Sequence, residues 1–122
     1  MINLQVAVLG GGSWGTTVAS LVAKNTDVTL WARDKATVDE INKHNSNEKY
    51  LPGAKLHTRV KAHYKLKKVV SDADVVIMGI PSNSFRGVLE EVKPHLRAWV
   101  PMISLTKGLE KGTDLRMTEV IK

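Results

Sequence analysis

The sequence predicts a doubly wound α/β fold with a mainly parallel sheet of about five to six strands. Three observations support this prediction. Short apolar runs alternate along the chain with segments of helical periodicity, as in successive βαβ units. The apolar runs at Gln5–Leu9 and Val75–Met78 are continuous, which is typical of strands buried on both faces. The chain has 122 residues, enough for one domain with a single core.

The predicted elements follow one another without internal repeats or low-complexity linkers. Strands are expected at 5–9, 27–31, within 55–68, at 75–78 and at 100–105. Helices are expected at 13–24, 35–44, 66–73 and 85–92, and a last helix begins near 114. Because that last helix is short where the sequence stops, we expect residues 1–122 to be one domain at the front of a longer protein.

The helical periodicity also predicts which side chains face the core. On the first helix the predicted inward residues are Val18, Ala19, Leu21, Val22 and Ala23. The second helix places Val38 and Ile41 inward. Asp34 directly precedes that helix and is a candidate N-cap.

The composition excludes several classes of site. There are no cysteines, which excludes disulfides and thiolate metal sites and favours a cytoplasmic protein. No apolar run reaches the roughly 18 residues of a membrane helix, and the N-terminus lacks the pattern of a secretory signal. We therefore expect no membrane segment. The histidines show no metal-ligand spacing, so we also expect no metal site. They are His44, His57, His63 and His95.

The chain is basic, with a formal net charge of +6 and a pI near 9.7. This favours anionic partners, among them phosphorylated small molecules, nucleotides and nucleic acid. Most of the excess lies between Lys55 and Lys68, where the charges alternate with Val60, Ala62, Tyr64 and Leu66. That alternation is typical of an edge strand with one solvated face, where lysines block unwanted pairing. We favour the solvated edge over a nucleic-acid surface and expect no nucleic-acid partner.

A glycine-rich stretch joins the first predicted strand to the first helix and satisfies the pattern G-x-G-x-x-G. Gly10 is expected to form the tight turn, Gly12 to admit a pyrophosphate to the backbone, and Gly15 to let the helix pack close to the strand. Free amides and the positive end of the helix dipole then bind the phosphates. Ser13 and Trp14 supply amides at that end, and the Ser13 hydroxyl is a further donor. In this strand–turn–helix context we predict a Rossmann-type, dinucleotide-binding domain.

The end of the second strand leaves the cofactor open between NAD and NADP. Asp34 follows Gly15 at close to the spacing at which an acid binds the ribose 2′-hydroxyl of NAD. Arg33 precedes it and is suited to pair with the 2′-phosphate of NADP or to stack on adenine. The N-cap role of Asp34 competes with the ribose role. We favour Arg33 as the cofactor residue.

Two further loops follow predicted strands at the edge of the sheet where ligands bind in open α/β folds. The loop after the strand at 75–78 contains Pro81, and the loop after the strand at 100–105 contains Lys107. We expect Lys107 to project toward the nicotinamide and an anionic substrate. Its position is equally consistent with an exposed loop lysine.

Five segments together resemble NAD(P)-dependent glycerol-3-phosphate dehydrogenase of the bacterial type. They are residues 8–16 (VLGGGSWGT), 28–34 (VTLWARD), 47–53 (NEKYLPG), 80–82 (IPS) and 106–110 (TKGLE). The resemblance covers nearly the whole chain. It implies interconversion of dihydroxyacetone phosphate and sn-glycerol 3-phosphate with NAD(P)H, in glycerophospholipid synthesis. It also implies that the full-length protein is a homo-oligomer.

The resemblance assigns roles to individual residues. Ser13, Trp14 and Arg33 match cofactor-binding positions of the family. Tyr50 matches a position sometimes assigned to the cofactor. Lys107 matches the lysine that contacts both cofactor and substrate. Gly11 stands where the family more often has alanine, and we expect this difference to do no harm.

The family also carries a helical substrate domain, which holds its general-base lysine and most of its contacts to the substrate phosphate. Nothing in these 122 residues corresponds to that domain, so we expect no catalytic residue in this chain. Hydride transfer needs a closed, water-poor site. We therefore expect the chain by itself to bind dinucleotide and to turn over substrate slowly or not at all.

Other functions compatible with the glycine motif stay open. One is the cofactor domain of another two-domain dehydrogenase, of the 3-hydroxyacid or ketopantoate type, although these generally lack the TKGLE segment. Another is a non-catalytic nucleotide-sensing module, for which residues at the nicotinamide end such as Pro81 and Lys107 are unnecessary. A nucleic-acid module rests on the charge alone.

Overall fold

The computed structural model describes residues 4–80, 82–96 and 100–104, which form a sheet with helices on both faces. The strands are β1 (Gln5–Leu9), β2 (Asp27–Trp31), β3 (Val60–His63), β4 (Val75–Met78) and β5 (Met102–Ser104). The helices are α1 (Ser13–Val22), α2 (Lys35–His44), α3 (Leu66–Val70) and α4 (Ser82–Val92), with a 3₁₀ turn at Lys93–His95. None of these helices is long and apolar enough to cross a bilayer.

The sheet runs in the order β3-β2-β1-β4-β5, and every pair within it is parallel. The chain therefore leaves β1 in one direction to build β2 and β3, and returns to the other side to build β4 and β5. This is the doubly wound arrangement that the alternation of strands and helices predicts, so the predicted fold class is confirmed. In such sheets ligands bind where the winding direction reverses, beyond the carboxyl ends of the strands.

Two apolar cores lie on the two faces of the sheet. One packs α3 and α4 against Leu9 and Met78, with Phe85 fully buried between them. The other packs α1 and α2 against Val8 and Leu30. Because consecutive strand residues point to opposite faces, both cores draw on the same three central strands, which explains their continuous apolar runs.

The inward face of α1 differs from the predicted one at Leu21. Leu21 is 55% exposed, while the buried positions are small residues: Gly15, Thr16, Ala19 and Ala23. Val18 and Val22 lie at the margin and are partly buried. The physical reason is that small side chains let the helix axis approach the sheet closely. The prediction is therefore confirmed for Ala19 and Ala23 and, in part, for Val18 and Val22, and it is wrong for Leu21.

The predicted position of the edge strand is confirmed, but its predicted length is wrong. Val60 and Ala62 are buried and Lys61 is exposed, as the alternation predicts, and β3 lies at one edge of the sheet. The strand ends at His63, however, and Tyr64 is 39% exposed. Leu66 is buried as the first residue of α3, which begins where the helix at 66–73 is predicted to begin and ends earlier, at Val70. The helix predicted near 114 lies outside the described residues.

Candidate dinucleotide site

The carboxyl ends of β1, β2 and β4 meet at the point where the winding direction reverses. Leu9 pairs with Trp31 on one side and with Met78 on the other, so the three strands end level with one another. The glycine turn follows β1, Arg33 follows β2, and Gly79 follows β4. The structure therefore brings the predicted glycine turn and the predicted ribose region to one edge of the sheet.

Two glycines of the turn are required by backbone geometry. Gly10 has φ +121°, a conformation that side chains with a Cβ rarely adopt. Its amide donates to the carbonyl of Trp31 at 2.9 Å, and a Cβ on it would overlap the Gly79 carbonyl oxygen. A Cβ on Gly15 would overlap the carbonyl oxygen of Gly10 itself. The tight turn at Gly10 and the close helix packing at Gly15 are thus present as predicted.

Gly12 differs from the other two glycines, because a Cβ on it would meet nothing within 4 Å. It is the N-cap residue of α1, and no side chain caps the helix there. The first backbone bond of the helix runs from the Thr16 amide to the Gly12 carbonyl at 2.9 Å. The amides of Ser13 and Trp14 precede that bond and donate to no residue that the structure describes. An open space in front of free amides at a helix N-terminus suits an anion such as a phosphate.

The end of β2 places Arg33 and Asp34 in different roles. The Asp34 carboxylate accepts from the Ala36 amide at 3.0 Å and from the Thr37 hydroxyl at 3.2 Å, so both of its oxygens cap α2. The predicted N-cap is confirmed. Arg33 is exposed, and its guanidinium lies 5.3 Å from the centroid of the Trp31 ring. Arg33 is thus held at the strand end with its charge directed to solvent.

A residue that the sequence pattern does not indicate, Asn47, connects the parts of this region by hydrogen bonds. Asn47 is fully buried, and its Nδ2 donates to the Gly11 carbonyl and to the Thr16 hydroxyl, both at 2.9 Å. The Thr16 hydroxyl in turn donates to the same carbonyl at 3.3 Å. The oxygen of the same side-chain amide, Asn47 Oδ1, is buried without a hydrogen-bond partner among the described residues. An asparagine in a polar connection is typical of a turn, so a single sequence holds no signal for this role.

Asn47 also positions the segment that carries Tyr50. Its backbone carbonyl accepts from the amides of Tyr50 at 3.3 Å and Leu51 at 2.7 Å. The Tyr50 ring is 43% exposed, and the Lys49 ammonium lies 5.2 Å from its centroid. One buried residue, through its side chain and its backbone carbonyl, therefore joins the predicted cofactor residue Tyr50 to the glycine turn.

Comparison with known proteins agrees with this geometry. Residues 5–122 match the family described as the N-terminus of NAD-dependent glycerol-3-phosphate dehydrogenase. The chain belongs to this family. It is 54% identical over 121 residues to glycerol-3-phosphate dehydrogenase [NAD(P)+] 2 of Sphingopyxis alaskensis, covering 99% of this chain and 36% of that protein. It is 46% identical over 119 residues to the enzyme of Mycobacterium avium, covering 97% of this chain and 35% of that one.

A solved structure of the family has the same fold. The crystal structure of glycerol-3-phosphate dehydrogenase from Coxiella burnetii superposes with a TM-score of 0.89 at 34% identity, covering 98% of this chain and 37% of that one. The chain thus spans about a third of the length of its glycerol-3-phosphate dehydrogenase relatives. The family match favours the glycerol-3-phosphate dehydrogenase interpretation over the 3-hydroxyacid, ketopantoate and sensor alternatives.

Two residues that link the chain to this family, Pro81 and Lys107, lie outside the described residues, as does the whole loop at 106–110. Within the described ranges, no group of three or more histidine, aspartate or glutamate side chains is placed to hold a metal ion. The described part of the site therefore consists of the glycine turn, the start of α1 and the end of β2.

The packing around Gly11, where the family more often has alanine, leads to a prediction. A Cβ on Gly11 would lie 2.8 Å from the Cβ of Ala32, closer than two such atoms pack. We expect Gly11→Ala to lower the free energy of unfolding by about 1–3 kcal/mol through overpacking. The double variant Gly11→Ala/Ala32→Gly removes the clash and is expected to recover most of that loss in urea unfolding. Equal stability of the single variant and the unmodified chain would contradict this geometry.

The Glu40 carboxylate binds the two residues that flank Asn47 in the chain. Glu40 Oε2 accepts from the Ser46 hydroxyl at 2.7 Å and from the Glu48 amide at 3.0 Å. These bonds, the one from Ser46 first, hold the pKa of Glu40 below its ordinary value of 4.5, and the charge of His44 adds to the effect. The ionised carboxylate thus fastens the residues on both sides of Asn47.

This depressed pKa predicts a pH dependence. The stabilisation by Glu40 is complete above pH 4.5, where the carboxylate is ionised in both states, and is lost as the pH falls through the lower pKa of the folded state. Glu40→Gln cannot ionise, so its deficit relative to the unmodified chain is expected at pH 7 and should shrink toward pH 3. Urea midpoints of both chains at several pH values measure this difference. A deficit that stays constant with pH would count against the ionised hydrogen bonds.

Proposed function

We propose that this chain is the cofactor-binding part of a glycerol-3-phosphate dehydrogenase that interconverts dihydroxyacetone phosphate and sn-glycerol 3-phosphate with NAD(P)H. The observation that supports this most directly is the open space beside Gly12 in front of the free amides of Ser13 and Trp14. It lies where the winding direction of the sheet reverses, in a chain of this dehydrogenase family.

Different residues of the described site bind different parts of a dinucleotide. The amides of Ser13 and Trp14, with the dipole of the ten-residue helix α1, bind the pyrophosphate. Arg33, held over Trp31, binds the adenosine end. Tyr50 supplies an exposed ring on a segment fixed to the glycine turn by Asn47. A bound nicotinamide supplies the hydride chemistry of the reaction.

We further propose that Pro81 and Lys107 line the nicotinamide end and that Lys107 also contacts the phosphorylated triose. Both follow strands whose carboxyl ends lie at this edge of the sheet, β4 and β5. Turnover needs a substrate enclosed away from water. The chain spans about a third of its relatives, so we propose that residues beyond this chain enclose the substrate and supply the general base. The absence of cysteines supports a cytoplasmic protein, and we propose that the full-length enzyme is a homo-oligomer without nucleic-acid partners.

Titration of the 122-residue chain with NADPH and NADH tests the binding half of this proposal. Trp14 is 61% exposed beside the free amides, so dinucleotide binding is expected to change its fluorescence, and Trp14→Phe provides the control for the other tryptophans. A turnover assay with dihydroxyacetone phosphate is expected to give little or no activity. Failure of both dinucleotides to bind would overturn the proposed function, and rates typical of a complete enzyme would overturn the assignment of catalysis to residues outside this chain.

A further inference from the structure

A side chain of α2 covers the outer edge of the sheet at β3. β3 is an edge strand, and α2 packs on it with Ile41 fully buried. The next residue of the helix, Asn42, is exposed at its rim and lies beside the strand backbone. Its Nδ2 donates to the Ala62 carbonyl at 3.0 Å, and its Oδ1 accepts from the Ala62 amide at 2.8 Å. One side-chain amide thus binds both backbone groups of Ala62.

These two backbone groups are the ones that a neighbouring strand would bind. The His63 carbonyl faces the sheet, where it accepts from the Ala32 amide at 3.2 Å. Ala62, one residue earlier, directs its backbone groups away from the sheet. In an antiparallel pair of strands, two opposite residues exchange both of their N–H···O bonds. The Asn42 amide makes the same two bonds, so it takes the place of a residue of an added strand.

The other residue of β3 that faces outward is also engaged, and the surface beside it is basic. The Val60 amide donates to the His57 carbonyl at 3.0 Å, in the turn before the strand. Lys61 is exposed between the two outward residues, and the exposed Arg59 directly precedes the strand. If a second copy of the chain paired here, the cations of both copies would lie on one face and repel one another.

We propose that Asn42 closes the β3 edge and thereby prevents a second copy of this chain from adding its own β3 to the sheet. Asparagine is a poor helix former, and its two bonds to Ala62 offset that cost in α2. Lys61 opposes the same pairing by charge repulsion, which salt screens. The homo-oligomer proposed for the full-length enzyme accordingly forms through another surface. This inference goes beyond the proposed function and does not depend on dinucleotide binding.

Sedimentation velocity of the 122-residue chain at several salt concentrations tests the proposal. Asn42→Ala removes the side-chain amide and introduces a better helix former, so α2 is retained. We expect this variant to form a species of about twice the mass of the unmodified chain, and to form more of it at high salt, where the repulsion between Lys61 side chains is screened. The double variant Asn42→Ala/Lys61→Thr is expected to form that species at low salt as well.

Two controls keep Asn42 and change a neighbouring charge. Lys43→Ala alters the next exposed residue of α2, and Lys61→Thr alone removes the strand lysine. Both are expected to sediment as the unmodified chain does. An Asn42→Ala chain with unchanged mass at every salt concentration would overturn the proposal, and so would the same doubling of mass in Lys43→Ala.

Hydrogen exchange of the Ala62 amide tests the closed edge in the unmodified chain as well. Exchange is expected to be slow there and at least about tenfold faster in the Asn42→Ala chain at low salt, where that variant has the mass of the unmodified chain. At high salt, pairing through β3 is expected to slow it again. Exchange in the unmodified chain at the rate of an unstructured peptide would overturn the proposal, as would a doubled Asn42→Ala species in which Ala62 still exchanges fast.

Discussion

Gly15→Ala is expected to unfold the chain or to leave it only marginally stable. The added Cβ would overlap the carbonyl oxygen of Gly10, and Gly79 lies on the same contact, with its own Cβ position 3.3 Å from the Gly15 Cα. The obstacles are backbone atoms of the central strand connections, which cannot rotate away as a side chain does. Overpacking in a core commonly costs about 1–3 kcal/mol and more where the backbone must move. Since a domain's net stability is about 5–15 kcal/mol, we expect a large fall in the urea midpoint.

Gly12→Ala is the matched control for this prediction, because it adds the same methyl group three residues earlier in the same turn. Gly12 has φ −74°, which alanine adopts freely, and its Cβ would meet nothing within 4 Å. We expect an unchanged urea midpoint together with at least about tenfold weaker binding of NADPH, because the methyl group fills the space proposed for the pyrophosphate. A Gly15→Ala chain with an unmodified midpoint would contradict the close packing. Unchanged affinity of the Gly12→Ala chain for NADPH would show that the phosphates do not bind at this turn.

Much of the fold follows from local signals in the sequence. The continuous apolar runs at 6–9 in β1 and at Val75–Met78 in β4 predict central strands, because strands buried on both faces have no solvent-facing positions for polar side chains. Gly10 predicts a tight turn and Gly15 predicts a closely packed helix, because each of these roles excludes a Cβ. Asp34 predicts a helix N-cap because its carboxylate is only two residues from Ala36, whose amide donates a hydrogen bond to it. Each of these features is indicated by residues that are close together in the chain, even where the contact that excludes a Cβ, as at Gly10, comes from the distant Gly79.

The features that could not be predicted depend on distant contacts. Leu21 is apolar and in phase with Val18, yet the approach of α1 to the sheet buries the small residues instead. Tyr64 continues the alternation of the edge strand, yet the bond from Trp31 and the start of α3 end the strand before it. Asn47 is 36 residues from its acceptor Gly11. Single-residue propensities hold no information about such pairs.

Asn47→Ala is expected to have the second large effect, on both stability and cofactor binding. It removes both N–H donors of Nδ2, which leaves the partly buried Gly11 carbonyl, among the described residues, with only the longer bond from Thr16. A lost partner and the cavity together are expected to lower the free energy of unfolding by about 2–4 kcal/mol. Asn25→Ala, at an exposed asparagine near the end of α1, is the control and is expected to change stability by less than about 0.5 kcal/mol.

The effect of Asn47 on binding distinguishes a positioning role from a purely structural one. The Gly11 carbonyl directly precedes Gly12, so its orientation sets the direction of the neighbouring peptide group at the proposed phosphate site. We expect Asn47→Ala to weaken NADPH binding at least about tenfold at a temperature where the variant is fully folded, while Asn47→Gln, which keeps the amide, recovers part of the affinity. Unmodified affinity in a destabilised Asn47→Ala chain would show that the backbone bonds from Gly10 to Trp31 and from Gly79 to Leu9 hold the turn by themselves.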